Sequence, residues 1–262
     1  VTFDAAPFAP TGKSLTDLRV DRFFNYRRKQ EMVMSPGKVI ELPALRNRSG
    51  VFRGRAHAGD VLADMLSAYR GSNALVLGIP AGGAPVAAVI ARALALPLDM
   101  AVVSKLTLPL NTEAGYGALA FDGTLRLNDA LVARAGLSEA DVVNGKVRAQ
   151  EKVLRRVKQL RGNRPFPDLS HRSAILVDDG LASGFTLMVA IEALRHQRAG
   201  EIVVAVPTAH AESAARIAQL VEVLYCPNLR EGASFAVADA YQEWSDVTEE
   251  SVVALLKDTT PL

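Results

Sequence analysis

Five short segments of this chain are apolar at nearly every position rather than at every second one: "ALVLGIP" (74–80), "MAVVSKL" (100–106), "SAILVDD" (173–179), "EIVVAVP" (201–207) and "VEVLYC" (221–226). A strand with two apolar faces is stable only where both faces of its sheet are covered. Around and between these segments apolar residues recur at helical spacing, which predicts helices over 54–71 and near 83–96, 138–161, 184–198 and 209–219. The alternation predicts an α/β fold, a doubly wound parallel sheet of about five strands. Such sheets bind ligands outside the carboxyl ends of their strands, so the residues that follow each apolar run are the ones to read for chemistry.

The 262 residues suffice for one large α/β domain with an appendage. Pro7, Pro10, Pro36 and Pro43 punctuate the first 50 residues. These are expected to form an N-terminal extension with little regular structure, leaving 51–262 as the domain. A formal charge of +2 argues against a surface built wholly for nucleic acid. Cys226 is the single cysteine, so neither an intramolecular disulfide nor a thiolate zinc cluster can form. No apolar run approaches the ~20 residues that span a bilayer. The opening "VTFDAAPFAP" lacks the basic and apolar blocks of a secretory signal, and a cytoplasmic protein without a membrane partner is expected.

The stretch "AILVDDGLASGFT" (174–186) is the most informative. Asp178 and Asp179 end a buried strand, where two ionised carboxylates repel each other and lose solvation; such a pair points to a polyol, a cation or both. Capping the next helix would need only one small polar residue, and Ser183 is better placed for it. The turn that follows supplies backbone N–H groups, the hydroxyls of Ser183 and Thr186, and a helix N-terminus, which together favour an anion such as phosphate. Acceptors for hydroxyls beside donors for a phosphate match a ribose 5-phosphate. The chain lacks the Gly-Lys-Ser/Thr ending of an NTPase loop, since Phe185 follows Gly184, and neither "GIPAGG" nor "GLASGF" has dinucleotide-fingerprint spacing.

"ILVDDGLASGFT" resembles the phosphoribosyl-pyrophosphate (PRPP) motif of the type I phosphoribosyltransferases. "LVLGIPAGGAPVAAVIARAL", "SKLTLPLNTEAGYGALAFDGTLRLN" and "SFAVADAYQEWSDVTEESV" resemble further blocks of a bacterial and archaeal branch of that family, over roughly residues 51–257. The resemblance implies that Asp178 and Asp179 meet the ribose hydroxyls and the metal. It implies that Ala182, Ser183, Gly184, Phe185 and Thr186 cradle the 5-phosphate, and that Ala81, Gly82 and Gly83 face the pyrophosphate. Lys105 would meet pyrophosphate charge, making Lys105, Asp178 and Asp179 the catalytic set. Mg²⁺ is the implied cofactor, held through pyrophosphate oxygens. A hood from both chain ends, including about 228–246, would place Phe235 and Tyr241 against the base, with Trp244 nearby. PRPP and a small-molecule acceptor are the implied partners, in a homodimer. The branch usually has Arg where this chain has Ala81, so either another cation substitutes or the protein is a PRPP or nucleotide sensor. Ala182 stands where 6-oxopurine enzymes carry Asp, and the small-residue loop is similar to the adenine-type version.

Residues 107–123 break the strand–helix alternation, with a hairpin signal at Asp122-Gly123 and Gly115, Gly117 and Gly123 as hinges. They are expected to be a lid carrying Asn111, Glu113 and Tyr116. "KVRAQEKVLRRVKQLRGNR" is a cationic helix that packs on the sheet or a subunit partner, or else offers an RNA-binding face to a phosphoribosyltransferase-like protein. The four histidines have no metal-ligand spacing.

Overall fold

Strands form where the sequence puts its apolar runs. The computed structural model describes residues 37–108, 111–232 and 234–257, with the backbone alone for 111–114. In chain order the elements are β1 (Lys38–Ile40), α1 (Arg55–Met65), β2 (Leu75–Gly78), α2 (Gly83–Leu94), β3 (Leu98–Met100), β4 (Val103–Leu108), β5 (Asn111–Ala120), β6 (Leu125–Leu127), α3 (Asp129–Arg134), α4 (Glu139–Arg161), β7 (Ser173–Val177), α5 (Phe185–His196), β8 (Glu201–Ala205), β9 (Thr208–His210), α6 (Ala211–Ala218), β10 (Val223–Tyr225), β11 (Asn228–Arg230) and α7 (Glu249–Lys257).

The main sheet has six strands in the order β1-β10-β8-β7-β2-β3, and every pairing is parallel. Alternate residues serve opposite cores. Leu75, Leu77, Leu176 and Val204 pack with Leu187 and Leu194 of α5 and Ile217 of α6. Val76, Ile175, Val177 and Val203 pack on the other face with Leu62 of α1 and Val86 and Ile90 of α2. All are buried, and each large aliphatic side chain contributes about 1.5–3 kcal/mol on leaving water. From β2 the chain winds through α2 to β3 at one edge; from β7 it winds through α5 to β8 in the other direction. The carboxyl ends of β2 and β7, with Gly78 opposite Val177, therefore form the switch point where a crevice must open.

Two boundaries differ from the sequence reading. The expected strand at 100–106 divides: Leu98–Met100 is a sheet edge, and Val103–Leu108 leaves to start a three-stranded antiparallel arm, β4-β5-β6. The apolar pattern hid this because the edge strand carries a buried charge, Asp99, which Arg161 at the end of α4 meets through Nη2 at 3.1 Å and Nε at 3.2 Å. Nor does the extension reach residue 50. Lys38–Ile40 pairs with β10 as the sixth strand, and the chain forms one compact unit from residue 36 onward. A three-residue strand is too short to register as a periodic pattern. Residues 1–36 lie outside the described residues.

A hood is tied together from both sequence regions. Phe52 N–H donates to Ala240 at 3.0 Å, Gln242 N–H donates to Phe52 at 2.8 Å, and β11 pairs with β9 beneath. Helix α4 starts at a reciprocal capping box in which Ser138 Oγ accepts from Asp141 N–H and Asp141 accepts from Ser138 N–H.

Candidate active site

A cavity of about 680 Å³ opens at the switch point, with Asp178 and Asp179 in its wall. The two carboxylates are held differently. Asp179 Oδ2 accepts from Arg55 Nε at 3.0 Å and lies 2.9 Å from its Nη2, while its main-chain carbonyl accepts from the Tyr241 hydroxyl at 2.6 Å. The Arg55 guanidinium stacks 3.9 Å from the centre of the Trp244 ring and donates to the Ser245 carbonyl. Asp178 has no such cation; its Oδ1 accepts from Asp179 N–H at 2.9 Å. Burial, then the charge of Asp179, pushes the Asp178 carboxyl well above the usual range, with Lys105 and Arg55 opposing. Burial also raises Asp179, against the pull of Arg55.

This acidity links to stability. A carboxyl whose pKa is raised by folding contributes stability that is complete below its unfolded pKa, near 3.9, and is lost as pH rises through the folded value. Asp178→Asn is therefore expected to raise the melting temperature of the ligand-free protein, and to raise it more at pH 7 than at pH 4. Melting curves at the two pH values check this; an equal change at both would contradict the assignment.

Gly82 lies against this pair. A Cβ there would fall 2.1 Å from Asp179 Oδ2, so the loop after β2 can approach the carboxylates only without a side chain. On the opposite edge Ala182, Ser183, Gly184, Phe185 and Thr186 all line the cavity. Gly184, at φ +74°, turns the chain into α5 with a left-handed conformation that favours glycine. Among the described residues, the N–H groups of Ala182, Ser183 and Gly184 find no acceptor, and with the N-terminus of α5 they form an anion-binding turn. No group of three or more His, Cys, Asp or Glu among the described residues could hold a metal ion by itself. The carboxylate pair fits Mg²⁺ shared with phosphate oxygens, because Mg²⁺ usually takes one or two carboxylates.

Lys105 of β4 lines the cavity as expected, and its charge favours the ionised form of both aspartates. Ala81 and Gly83 do not line it: Ala81 faces a small cleft beside Arg156, Leu160 and Val252, and Gly83 begins α2. The base-binding pair is also corrected. Tyr241 is buried against Phe52, ring centres 5.7 Å apart, and Phe235 packs edge-on to His210 at 5.9 Å. The hood instead presents Val237 and Trp244 to the cavity. Tyr116 is no lid residue; it is 1 % exposed and donates to the Asp141 carbonyl at 3.4 Å. The side chains of Asn111 and Glu113 lie outside the described residues.

The far end of the segment expected as a lid, 107–123, is anchored. Ala118, Leu119 and Ala120 are buried, and the hairpin turn is fixed to α5, where His196 Nδ1 lies 3.0 Å from Thr124 Oγ1 and Arg126 pairs with Glu192.

Sequence reading missed Arg55, Val237 and the α4 residues Arg148, Lys152 and Arg156, all but Arg55 lining the cavity. The four-residue spacing of the α4 cations was a usable signal, whereas Arg55 lies 124 positions from its partner and had none.

A parallel α/β sheet thus brings paired carboxylates and a turn of unpaired N–H donors together at its switch point. Residues 52–241 match the phosphoribosyl transferase domain, and the chain belongs to that family. Two Mycobacterium tuberculosis proteins, from strains CDC 1551 and H37Rv and provisionally named phosphoribosyl transferases, are each 35 % identical over 209 residues, covering 79 % of this chain and 46 % of theirs. The chain thus spans about half the length of the curated relatives it matches. The crystal structure of TT1426 from Thermus thermophilus is similar at 32 % identity and a TM-score of 0.62, covering 78 % of this chain and 97 % of that one. No helix among the described residues is long and apolar enough to cross a membrane.

Proposed function

We propose that the cavity binds PRPP with Mg²⁺ and transfers its phosphoribosyl group to a nitrogen nucleophile of a small-molecule acceptor, releasing pyrophosphate. The observation that carries this reading is the meeting, in one cavity, of a desolvated carboxylate pair and an anion-binding turn with unpaired N–H groups. In this reading Asp178 and Asp179 accept from the ribose hydroxyls, and Arg55 opposes the effect of burial on Asp179 and aims it. Residues 182–186 hold the 5-phosphate, fixing the sugar so that its anomeric carbon faces the acceptor. The new bond joins the acceptor nitrogen to that carbon as the bond to pyrophosphate breaks, the electron pair leaving with pyrophosphate. Mg²⁺, when bound, supplies charge neutralisation on the pyrophosphate oxygens. Lys105 adds positive charge where negative charge grows, which assists the transition state more than the bound substrate. Val237 and Trp244 offer the acceptor an apolar wall and a ring to stack on.

Supporting an enzyme over a PRPP or nucleotide sensor is the number of cations facing the cavity despite Ala81. The RNA-binding alternative has less support, because three cations of α4 turn to the cavity. A panel of nucleobases and other nitrogenous acceptors, assayed with PRPP and Mg²⁺ for pyrophosphate release, tests the proposal. Tight PRPP binding with no turnover on any acceptor would favour the sensor.

We include two further readings. Residues 107–115 are a lid that orders over PRPP, since an oxocarbenium-like centre must be shielded from water. Hydrogen exchange in this segment should be fast in the free protein and slow markedly with PRPP and Mg²⁺; equal strong protection in both states would mean a rigid hairpin. The protein is a cytoplasmic homodimer, and the outward residues Val143, Val147 and Leu154 of α4, each 46–49 % exposed, are the surface that supports a second copy.

A further inference from the structure

Besides Lys105, the cations that line the cavity are Arg148, Lys152 and Arg156, spaced four apart on α4. Residues at that spacing share one helix face, and from first to last they span about 12 Å along the axis. We infer that this row is the pyrophosphate-binding wall of the cavity, taking the charge that the loop at 80–83 cannot meet because Pro80, Ala81, Gly82 and Gly83 offer only backbone. The inference rests on the PRPP reading above and adds the residues that hold the leaving group.

Like charges four apart on a helix repel, so the row is unfavourable without an anion before it. Among the described residues Arg148 and Lys152 form no ion pair within 4 Å, although Asp141 feels the charge of Arg148 and Glu249 that of Lys152. Arg156 alone has a partner, Glu249 Oε1 at 2.6 Å, which leaves the rest of its guanidinium for a ligand. Burial, then the charge of Arg156, pushes the Lys152 ammonium below its usual range; Glu249 opposes this, and Arg155 and Lys105 add to it. Location agrees as well. Arg156 lines both the main cavity and the cleft beside Pro80 and Ala81, so it reaches the loop after β2. The carboxylates and the turn at 182–186 line the same cavity, so a ligand that holds its hydroxyls and 5-phosphate there has the α4 cations within the same enclosure for its remaining charge. The planar forks of Arg148 and Arg156 suit phosphate oxygens, and Lys152 between them acts as a point charge.

Calorimetric titrations of Mg²⁺–pyrophosphate and of ribose 5-phosphate, run separately, test the row. Lys152→Gln is expected to weaken pyrophosphate binding about tenfold, and the double variant Arg148→Gln, Lys152→Gln about a hundredfold, for charge-assisted contacts. Ribose 5-phosphate affinity should stay within about twofold in both variants, and Lys152→Arg should restore pyrophosphate binding. Unchanged pyrophosphate affinity, or equal losses for both ligands, would overturn the inference while leaving the PRPP reading intact. Failure of the unaltered protein to bind either ligand would overturn both.

Discussion

Asn in place of both Asp178 and Asp179 is expected to weaken PRPP binding by about a hundred- to ten-thousand-fold while leaving the protein folded. A hydroxyl donating to an ionised carboxylate contributes about 1.5–3 kcal/mol, so loss of two such contacts sums to roughly 3–6 kcal/mol, and each 1.4 kcal/mol is tenfold in affinity. Asn keeps the shape and one acceptor oxygen but removes the charge. For Asp178→Asn alone stability should not fall with affinity, because burial and the charge of Asp179 already disfavour its ionised form, whereas Asp179→Asn also removes the partner of Arg55. Opposite signs for stability and binding in Asp178→Asn would mark that carboxylate as functional rather than structural. Calorimetry with PRPP and Mg²⁺ beside melting curves provides both readings; unchanged affinity would remove the carboxylates from the site.

Asp99→Ala is expected to destabilise the protein by about 3–5 kcal/mol, because it strands the Arg161 guanidinium in the interior. The side chains of Arg161 and Asp99 are only 4 % and 2 % exposed, and Arg161 also donates to the Met100 carbonyl at 2.9 Å and lies over Phe166. Phe166 in turn stacks on Phe121 at the arm's hairpin turn, ring centres 4.2 Å apart. The pair thus joins the sheet edge, the end of α4 and the arm that carries Lys105, so the loss should exceed that of a surface ion pair, ~0–1 kcal/mol. Against a typical total of about 5–15 kcal/mol this is a large fraction. Urea unfolding measures it, and a loss below about 1 kcal/mol would show that the pair does not hold the arm to the sheet.

The sheet was legible in the sequence because its strands are buried on both faces, so Leu75–Gly78, Ser173–Val177 and Glu201–Ala205 read as apolar runs of the right length. The turn after β7 was legible because its chemistry is local: carboxylates, small residues and helix start are contiguous. What stayed hidden depends on distant partners. Tyr116 and Tyr241 both carry a polar tip near the site in sequence. Their packing against α4 and Phe52, 189 positions from Tyr241, takes their rings out of the cavity. Asp99 lies just before the apolar run at 100–106, and nothing local announces a partner 62 residues onward. The cations of α4 were visible as a charged face, but only the topology, which lays α4 along β4 and β5, turns that face inward.

A crystal structure grown with PRPP and Mg²⁺ tests the central claim most directly. The account predicts the 5-phosphate within hydrogen-bond distance of the 182–186 amides, the ribose hydroxyls on Asp178 and Asp179, and the pyrophosphate towards Lys105 and α4. Density for PRPP elsewhere on the protein, or in this cavity with its hydroxyls turned away from both aspartates, would contradict it.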